Sequence, residues 1–112
     1  PGATVILGHL GEMLPFAVHR MQGRLAAALG SSLRRPVTAY LRDNFYLSTS
    51  GDFHTPSLIG ALLEVSADRI LFAVDYPFED MGEAARWFDG LPISEVDQAK
   101  IGRSNAERLL RL

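Results

Sequence analysis

Three titratable side chains, His9, Glu12 and Asp75, follow apolar segments of the chain. Residues 70–74 are consecutive apolar residues that end at Asp75, and His9 and Glu12 come just after residues 3–7. A histidine with a carboxylate three residues further on can form a pair that holds or transfers a proton near neutral pH. An aspartate beside a ligand can donate or accept a proton. These residue types therefore indicate acid–base chemistry.

The two apolar segments fit buried strands of a parallel sheet. In open α/β sheets and in (β/α) barrels, ligands bind at the carboxyl ends of the strands, which is where these titratable residues stand. Two simpler interpretations remain open: Asp75 could cap the following helix, and His9 with Glu12 could be an ordinary loop pair. The same arrangement at the ends of two strands favours a shared site.

Composition restricts the classes of function. The chain has 112 residues, 47% of them hydrophobic and 21% charged, which fits one globular domain spanning residues 1–112. A net charge of −2, with the cations spread among the acids, offers no basic face for nucleic acid, and the short apolar runs predict no membrane partner. Because there is no cysteine, histidine and carboxylates would have to hold any metal, and we expect a cytoplasmic protein.

Hydrophobic spacing and turn residues predict alternating strands and helices, which is typical of an α/β fold with a parallel sheet. The predicted strands are residues 3–7, 45–49 and 70–74. The predicted helices are residues 14–29, 55–66, 79–88, 94–101 and 105–112, with a short helical turn at 37–41. Gly30 with Ser31 and Ser32 should end the first helix, Thr55 should cap the helix that it opens, and Gly102 should separate the last two helices.

Five segments carry a family resemblance. They are GHLGEMLPF at residues 8–16, NFYLSTSGDF at 44–53, DRILF at 68–72, DYPFE at 75–79 and KIGRSNA at 100–106. In this order they resemble the C-terminal part of the metal-dependent aromatic acid decarboxylases of the amidohydrolase superfamily. The chain is most similar to the γ-resorcylate and 2,3-dihydroxybenzoate decarboxylase branch, and the resemblance runs over nearly the whole sequence.

The resemblance implies a fold. Members of the family are (β/α)8 TIM barrels, and this chain would supply strands six to eight with their helices, an incomplete barrel in a single partial domain. Two outer strands would then lack partners, and the chain begins almost directly at a strand. We therefore expect further sequence in front of it, and a homo-oligomer for the full-length protein.

The resemblance also implies roles for individual residues. Asp75 matches the aspartate that binds the divalent metal and passes a proton to the ring. His9 and Glu12 match the histidine and glutamate beside the substrate that support this proton chemistry. Arg20 and Phe78 are weaker matches, expected near the substrate, with Phe78 at the border of the ring pocket.

The implied activity is non-oxidative decarboxylation of a hydroxylated aromatic carboxylic acid with a divalent metal. Zinc is the expected metal, with manganese or magnesium as alternatives. Of the family's metal ligands, only Asp75 has a counterpart here, so this chain alone is expected to be inactive. The alternatives are a truncated, non-catalytic barrel fragment that is stable only through self-association, and a metal-dependent hydrolase of the same superfamily, because the fold does not determine the reaction.

Overall fold

A computed structural model of the chain describes residues 2–29 and 33–112. Its sheet has three parallel strands in the order β1 (Val5–Leu7), β2 (Phe45–Ser48) and β3 (Ile70–Leu71). Leu7 pairs with Leu47, and Leu47 pairs in turn with Ile70. Helices separate these strands along the chain, so the predicted α/β alternation is confirmed.

Six α-helices are present in the described residues. They are α1 (Leu14–Leu29), α2 (Val37–Asn44), α3 (Thr55–Val65), α4 (Met81–Asp89), α5 (Glu95–Ala99) and α6 (Asn105–Leu110). A π turn, Lys100–Ser104, joins α5 to α6 without a break. A short turn at His9–Gly11 follows β1, and another at Ala67–Arg69 precedes β3.

The core lies between β2, β3 and the helices that cover them. Leu47 of β2 and Ile70 of β3 are fully buried against Leu58 of α3 and Ile101 of the π turn. Burying such side chains contributes about 1.5–3 kcal/mol each. In contrast, Val5 and Ile6 of β1 are 40% and 49% exposed, so the expectation of a first strand buried on both faces is wrong for this chain.

The predicted helix at residues 14–29 is confirmed, while its predicted end at Gly30, Ser31 and Ser32 lies outside the described residues. Helix α2 continues to Asn44, beyond the predicted turn at 37–41. The predicted strands 3–7, 45–49 and 70–74 are all shorter in the structure. The largest difference is in β3, where regular pairing stops at Leu71.

Two predicted boundaries are wrong. His54, not Thr55, is the N-cap of α3, and the Thr55 hydroxyl instead accepts a hydrogen bond from the indole N–H of Trp87 at 3.1 Å. Gly102 does not separate two helices, because it lies inside the π turn. A Cβ at Gly102 would lie 3.0 Å from the Phe88 ring, so the glycine permits close packing of α4 against this turn.

Among the residues that the structure describes, no helix combines the length and hydropathy needed to cross a membrane.

Candidate active site

The carboxyl ends of the strands bring His9, Glu12 and Asp75 together. His9 Nδ1 lies 2.8 Å from Glu12 Oε1, and His9 Nε2 lies 3.6 Å from Asp75 Oδ2. His9 follows β1 and Asp75 follows β3, so the two side chains approach each other across the end of β2. All three are at least partly open to solvent, as side chains that meet a ligand must be.

The backbone is unusual at His9, Glu12 and Asp75. His9, Leu10 and Glu12 have φ values of 50°, 51° and 55°, and Asp75 has a φ of 83°. Such conformations cost about 1–3 kcal/mol each for residues other than glycine and are concentrated at functional sites. Leu10 is fully buried in this turn, and its packing holds the flanking His9 and Glu12 in place.

Gly51 lets the end of β2 pass directly beneath the site. A Cβ on this residue would lie 2.7 Å from His9 Cδ2 and 3.3 Å from Asp75 Oδ2. Its φ of 69° is also in the region that glycine adopts most easily. Any side chain at residue 51 would therefore displace the imidazole and strain the backbone.

The carboxylates beside the imidazole raise the pKa of His9 above its ordinary value of 6.5. The main cause is the hydrogen bond to Glu12, with a smaller contribution from Asp75, and desolvation acts in the opposite direction. The carboxylates therefore favour the charged form of His9 more than in a free histidine, and in that form Nε2, on the side away from Glu12, can donate a hydrogen bond to an anionic oxygen.

The segment that leads to Asp75 is held mainly by β2. The hydroxyl of Thr49 donates to the Ala73 carbonyl oxygen at 2.8 Å and accepts from the Ala73 N–H at 3.0 Å. The Gly51 N–H donates to the Val74 carbonyl oxygen at 3.2 Å. These bonds replace regular strand pairing just before Asp75.

The remaining predicted site residues lie further from this cluster. Phe78 is held near Asp75 by its N–H, which donates to the Asp75 carbonyl oxygen at 2.9 Å, but its ring is 83% exposed. Arg20 lies on the exposed side of α1, and within the described residues it makes no hydrogen bond or ion pair with His9, Glu12 or Asp75. Their roles in binding a substrate stay predictions.

Asp75 has the chemistry of a ligand for a divalent cation, because carboxylate oxygens are hard donors. Within residues 2–29 and 33–112, however, no group of three or more His, Asp or Glu side chains is arranged to hold a metal ion. The described residues therefore do not fit a complete metal site, and further ligands would have to come from outside them.

Sequence reasoning assigned no role to Thr49 or Gly51, although both belong to the segment NFYLSTSGDF. Their signal was a Thr-Ser-Gly sequence at the carboxyl end of the middle strand, where small and polar residues follow an apolar run. The serines on either side of Thr49 are also paired, with Ser48 Oγ 2.8 Å from Ser50 Oγ.

Comparison with known proteins places this geometry in a family. The amidohydrolase family model matches residues 1–112. The γ-resorcylate decarboxylase of Polaromonas sp. (strain JS666 / ATCC BAA-500) is 46% identical over 115 residues, which cover 100% of this chain and 35% of that relative. The chain thus spans 35% of the length of this relative.

Solved structures agree with the sequence matches. A 2,6-dihydroxybenzoate decarboxylase in complex with 2,6-dihydroxybenzoate superposes with a TM-score of 0.88 at 44% identity, over 97% of this chain and 35% of that chain. A dihydroxybenzoic acid decarboxylase from Polaromonas sp. JS666, with bound manganese and the inhibitor 2-nitroresorcinol, has a TM-score of 0.90 at 46% identity, over 97% and 34% of the two chains. The fold is therefore part of a TIM barrel of this type, as the resemblance implied.

Proposed function

The chain belongs to the amidohydrolase family, and we propose that it forms the C-terminal part of a metal-dependent decarboxylase that acts on a hydroxylated aromatic carboxylic acid. The observation that supports this proposal best is the convergence of His9, Glu12 and Asp75 at the carboxyl ends of β1 and β3. We further propose a cytoplasmic homo-oligomer for the full natural polypeptide.

In this proposal Asp75 is the acid. Its proton moves to the ring carbon that bears the carboxylate, where a C–H bond forms. The bond from that carbon to the carboxylate then breaks, its electron pair restores the aromatic ring, and carbon dioxide leaves. The Asp75 carboxylate recovers a proton from solvent. General acid catalysis of this kind contributes roughly 10²–10⁴-fold in rate.

His9 and Glu12 position the substrate for this transfer. Glu12 orients the imidazole through Nδ1, so that Nε2 points toward Asp75 and can donate to a phenolic oxygen ortho to the carboxylate. A charged imidazole at this point offsets the negative charge of that oxygen. Holding the ring in one orientation accounts for much of the rate in such a site.

A divalent cation is part of the proposal, with Asp75 as one ligand and the others supplied from outside the described residues. When bound, such a cation is a Lewis acid that neutralises and orients a carboxylate. Manganese is bound in the Polaromonas structure, and zinc is the metal that the sequence resemblance favours. Metal analysis of the purified full natural polypeptide distinguishes them.

The direct test is release of carbon dioxide from 2,6- or 2,3-dihydroxybenzoate by the full natural polypeptide. We expect Asp75→Asn to lower kcat by roughly 10²–10⁴-fold, because an amide cannot donate the proton. Asp52→Asn is the matched control, since it removes the same charge from the loop after β2, and it should retain activity. Turnover by Asp75→Asn would disprove the role of Asp75.

Two other outcomes would replace the proposal. Hydrolysis of an amide or ester without carbon dioxide release from aryl acids would identify a hydrolase of the same family. If the full natural polypeptide has the length of this chain and releases no carbon dioxide with added manganese or zinc, the chain is a non-catalytic barrel fragment.

A further inference from the structure

We propose that Thr49 is the positioning residue for Asp75: its buried hydroxyl holds the backbone two residues before the carboxylate in the orientation that the reaction requires. This inference rests on the proposed function, and it names a residue that does not touch the substrate itself. It acts through Ala73, to which it is hydrogen-bonded in both directions.

The bonds of Thr49 are unusually complete for a hydroxyl side chain. Its oxygen donates to the Ala73 carbonyl at 2.8 Å and accepts from the Ala73 N–H at 3.0 Å, and the residue is 0% exposed. One side chain therefore satisfies both main-chain groups of one residue in place of a neighbouring strand. Breaking this pair would leave buried polar groups without partners.

These bonds are needed because β3 ends early. Regular pairing between β2 and β3 stops at Leu71, whose carbonyl oxygen accepts from the Thr49 N–H at 3.0 Å. Beyond Leu71 the chain is outside the regular ladder until Asp75, which has a positive φ of 83°. In this stretch the Thr49 side chain bonds both main-chain groups of Ala73, and the Gly51 N–H bonds the Val74 carbonyl oxygen.

The same short segment also determines where His9 lies. The Ser50 carbonyl oxygen accepts from the His9 N–H at 3.1 Å, and Gly51 lies beside both the imidazole and the Asp75 carboxylate. A shift of Thr49 would therefore change the distance between His9 and Asp75, not only the position of one of them. The bonds of the Thr49 hydroxyl thus help to set the distance between His9 and Asp75.

A purely structural role for Thr49 is the alternative, in which its methyl group fills the core and its hydroxyl is merely satisfied. Two substitutions separate the roles. Thr49→Val keeps the size and branching but removes the hydroxyl, whereas Thr49→Ser keeps the hydroxyl and removes the methyl group. If the hydroxyl positions Asp75, Thr49→Ser should behave like wild type and Thr49→Val should not. If the methyl group is what matters, Thr49→Val should behave like wild type and Thr49→Ser should not.

The first measurement is made on the full natural polypeptide and does not depend on activity. By NMR, Thr49→Val should speed hydrogen exchange of the Ala73 amide by at least tenfold and weaken the nuclear Overhauser contacts between the His9 ring and Asp75. Thr49→Ser should keep both close to wild type. Thr38→Val is the matched control, because it removes from α2 a hydroxyl that is bonded to Gln22 of α1, away from the site. Unchanged exchange and contacts in Thr49→Val would overturn the inference.

The second measurement is made on the full natural polypeptide with 2,6-dihydroxybenzoate. Thr49→Val should lower kcat by roughly tenfold to a hundredfold with KM changed less than about twofold, because misplacing an acid by a fraction of an ångström affects the transition state more than binding. A rise in KM with unchanged kcat would overturn the positioning role. If no variant or wild type releases carbon dioxide while the NMR changes appear as expected, the proposed function fails and the positioning of Asp75 stands.

Thr49→Val could also fail to fold, which circular dichroism would reveal. In that case Thr49→Ser decides the question alone. Wild-type exchange at Ala73 and wild-type kcat in a folded Thr49→Ser protein support the inference, and a loss of either in a folded protein refutes it.

Discussion

Glu12 is the largest cause of the raised pKa of His9, because its carboxylate oxygen lies 2.8 Å from Nδ1. We expect Glu12→Gln to lower the pKa of His9 toward its ordinary value, since a neutral amide no longer stabilises the imidazolium. Titration of the His9 ring by NMR in the metal-free chain measures this shift. Glu64→Gln is the control, because that carboxylate is paired with Arg42 instead.

The sign of the pH dependence follows from the raised pKa. His9 binds its proton more tightly in the folded chain than in the unfolded one, so its contribution to stability is fully present below about pH 6.5 and is lost as the pH rises through the folded pKa. Glu12→Gln should reduce the part of the stability that is lost over this range. An identical pH dependence of unfolding in wild type and Glu12→Gln would contradict the role assigned to the pair.

At the scale of elements, Asn105 joins the last helices to β3. It is 0% exposed, and its Nδ2 donates to the carbonyl oxygens of Ala67 at 2.7 Å and Ile70 at 2.8 Å. In the adjoining π turn, the Ile101 carbonyl oxygen accepts from the Phe72 N–H at 2.9 Å. The end of the chain therefore holds the strand that carries Asp75 from the side opposite β2.

We expect Asn105→Asp to lower the free energy of unfolding by about 1–3 kcal/mol, because it keeps an acceptor for Arg108 but removes both donors to buried carbonyl oxygens. Urea denaturation followed by circular dichroism measures the loss. Arg103→Ala, which removes only an exposed pair with Glu107, should leave the midpoint almost unchanged. Equal midpoints for Asn105→Asp and wild type would exclude this joining role.

The spacing of hydrophobic residues predicted helices and strands well where one amphipathic face determines them. It predicted them poorly where contacts between residues distant in sequence determine them. The bounds of α1 agree with its hydrophobic spacing. The cap of α3 was misplaced because the Thr55 hydroxyl pairs with Trp87, 32 residues away, and the break at Gly102 was wrong because the glycine faces Phe88. Neither contact is visible in a local pattern.

The residues of the candidate site also include some that the sequence predicted and some that it did not. The sequence located His9, Glu12 and Asp75 at strand ends, and the structure brings these three side chains together. The supporting roles of Thr49 and Gly51 depend on where β3 stops pairing regularly, at Leu71, which no hydrophobic pattern encodes. Their catalytic consequences stay predictions until the variants are measured.

At the scale of the whole molecule, the sheet ends in an open edge. Within the described residues β1 pairs with β2 alone, and Val5 and Ile6 are 40% and 49% exposed on it. An exposed apolar edge strand readily pairs with another chain. In a complete barrel a neighbouring strand would cover this edge, as closure leaves no strand unpaired.

We therefore expect the isolated chain to self-associate in a concentration-dependent way, measured by light scattering after size-exclusion chromatography. Ile6→Lys should shift the chain toward the monomer, because a charged side chain on an edge strand opposes pairing. Leu63→Lys is the control: Leu63 is 83% exposed on α3, so a charge there tests a helix face instead of the sheet edge. If Leu63→Lys gave the monomer and Ile6→Lys did not, the chains would associate through α3. The open edge of β1 would then not be the surface that mediates association.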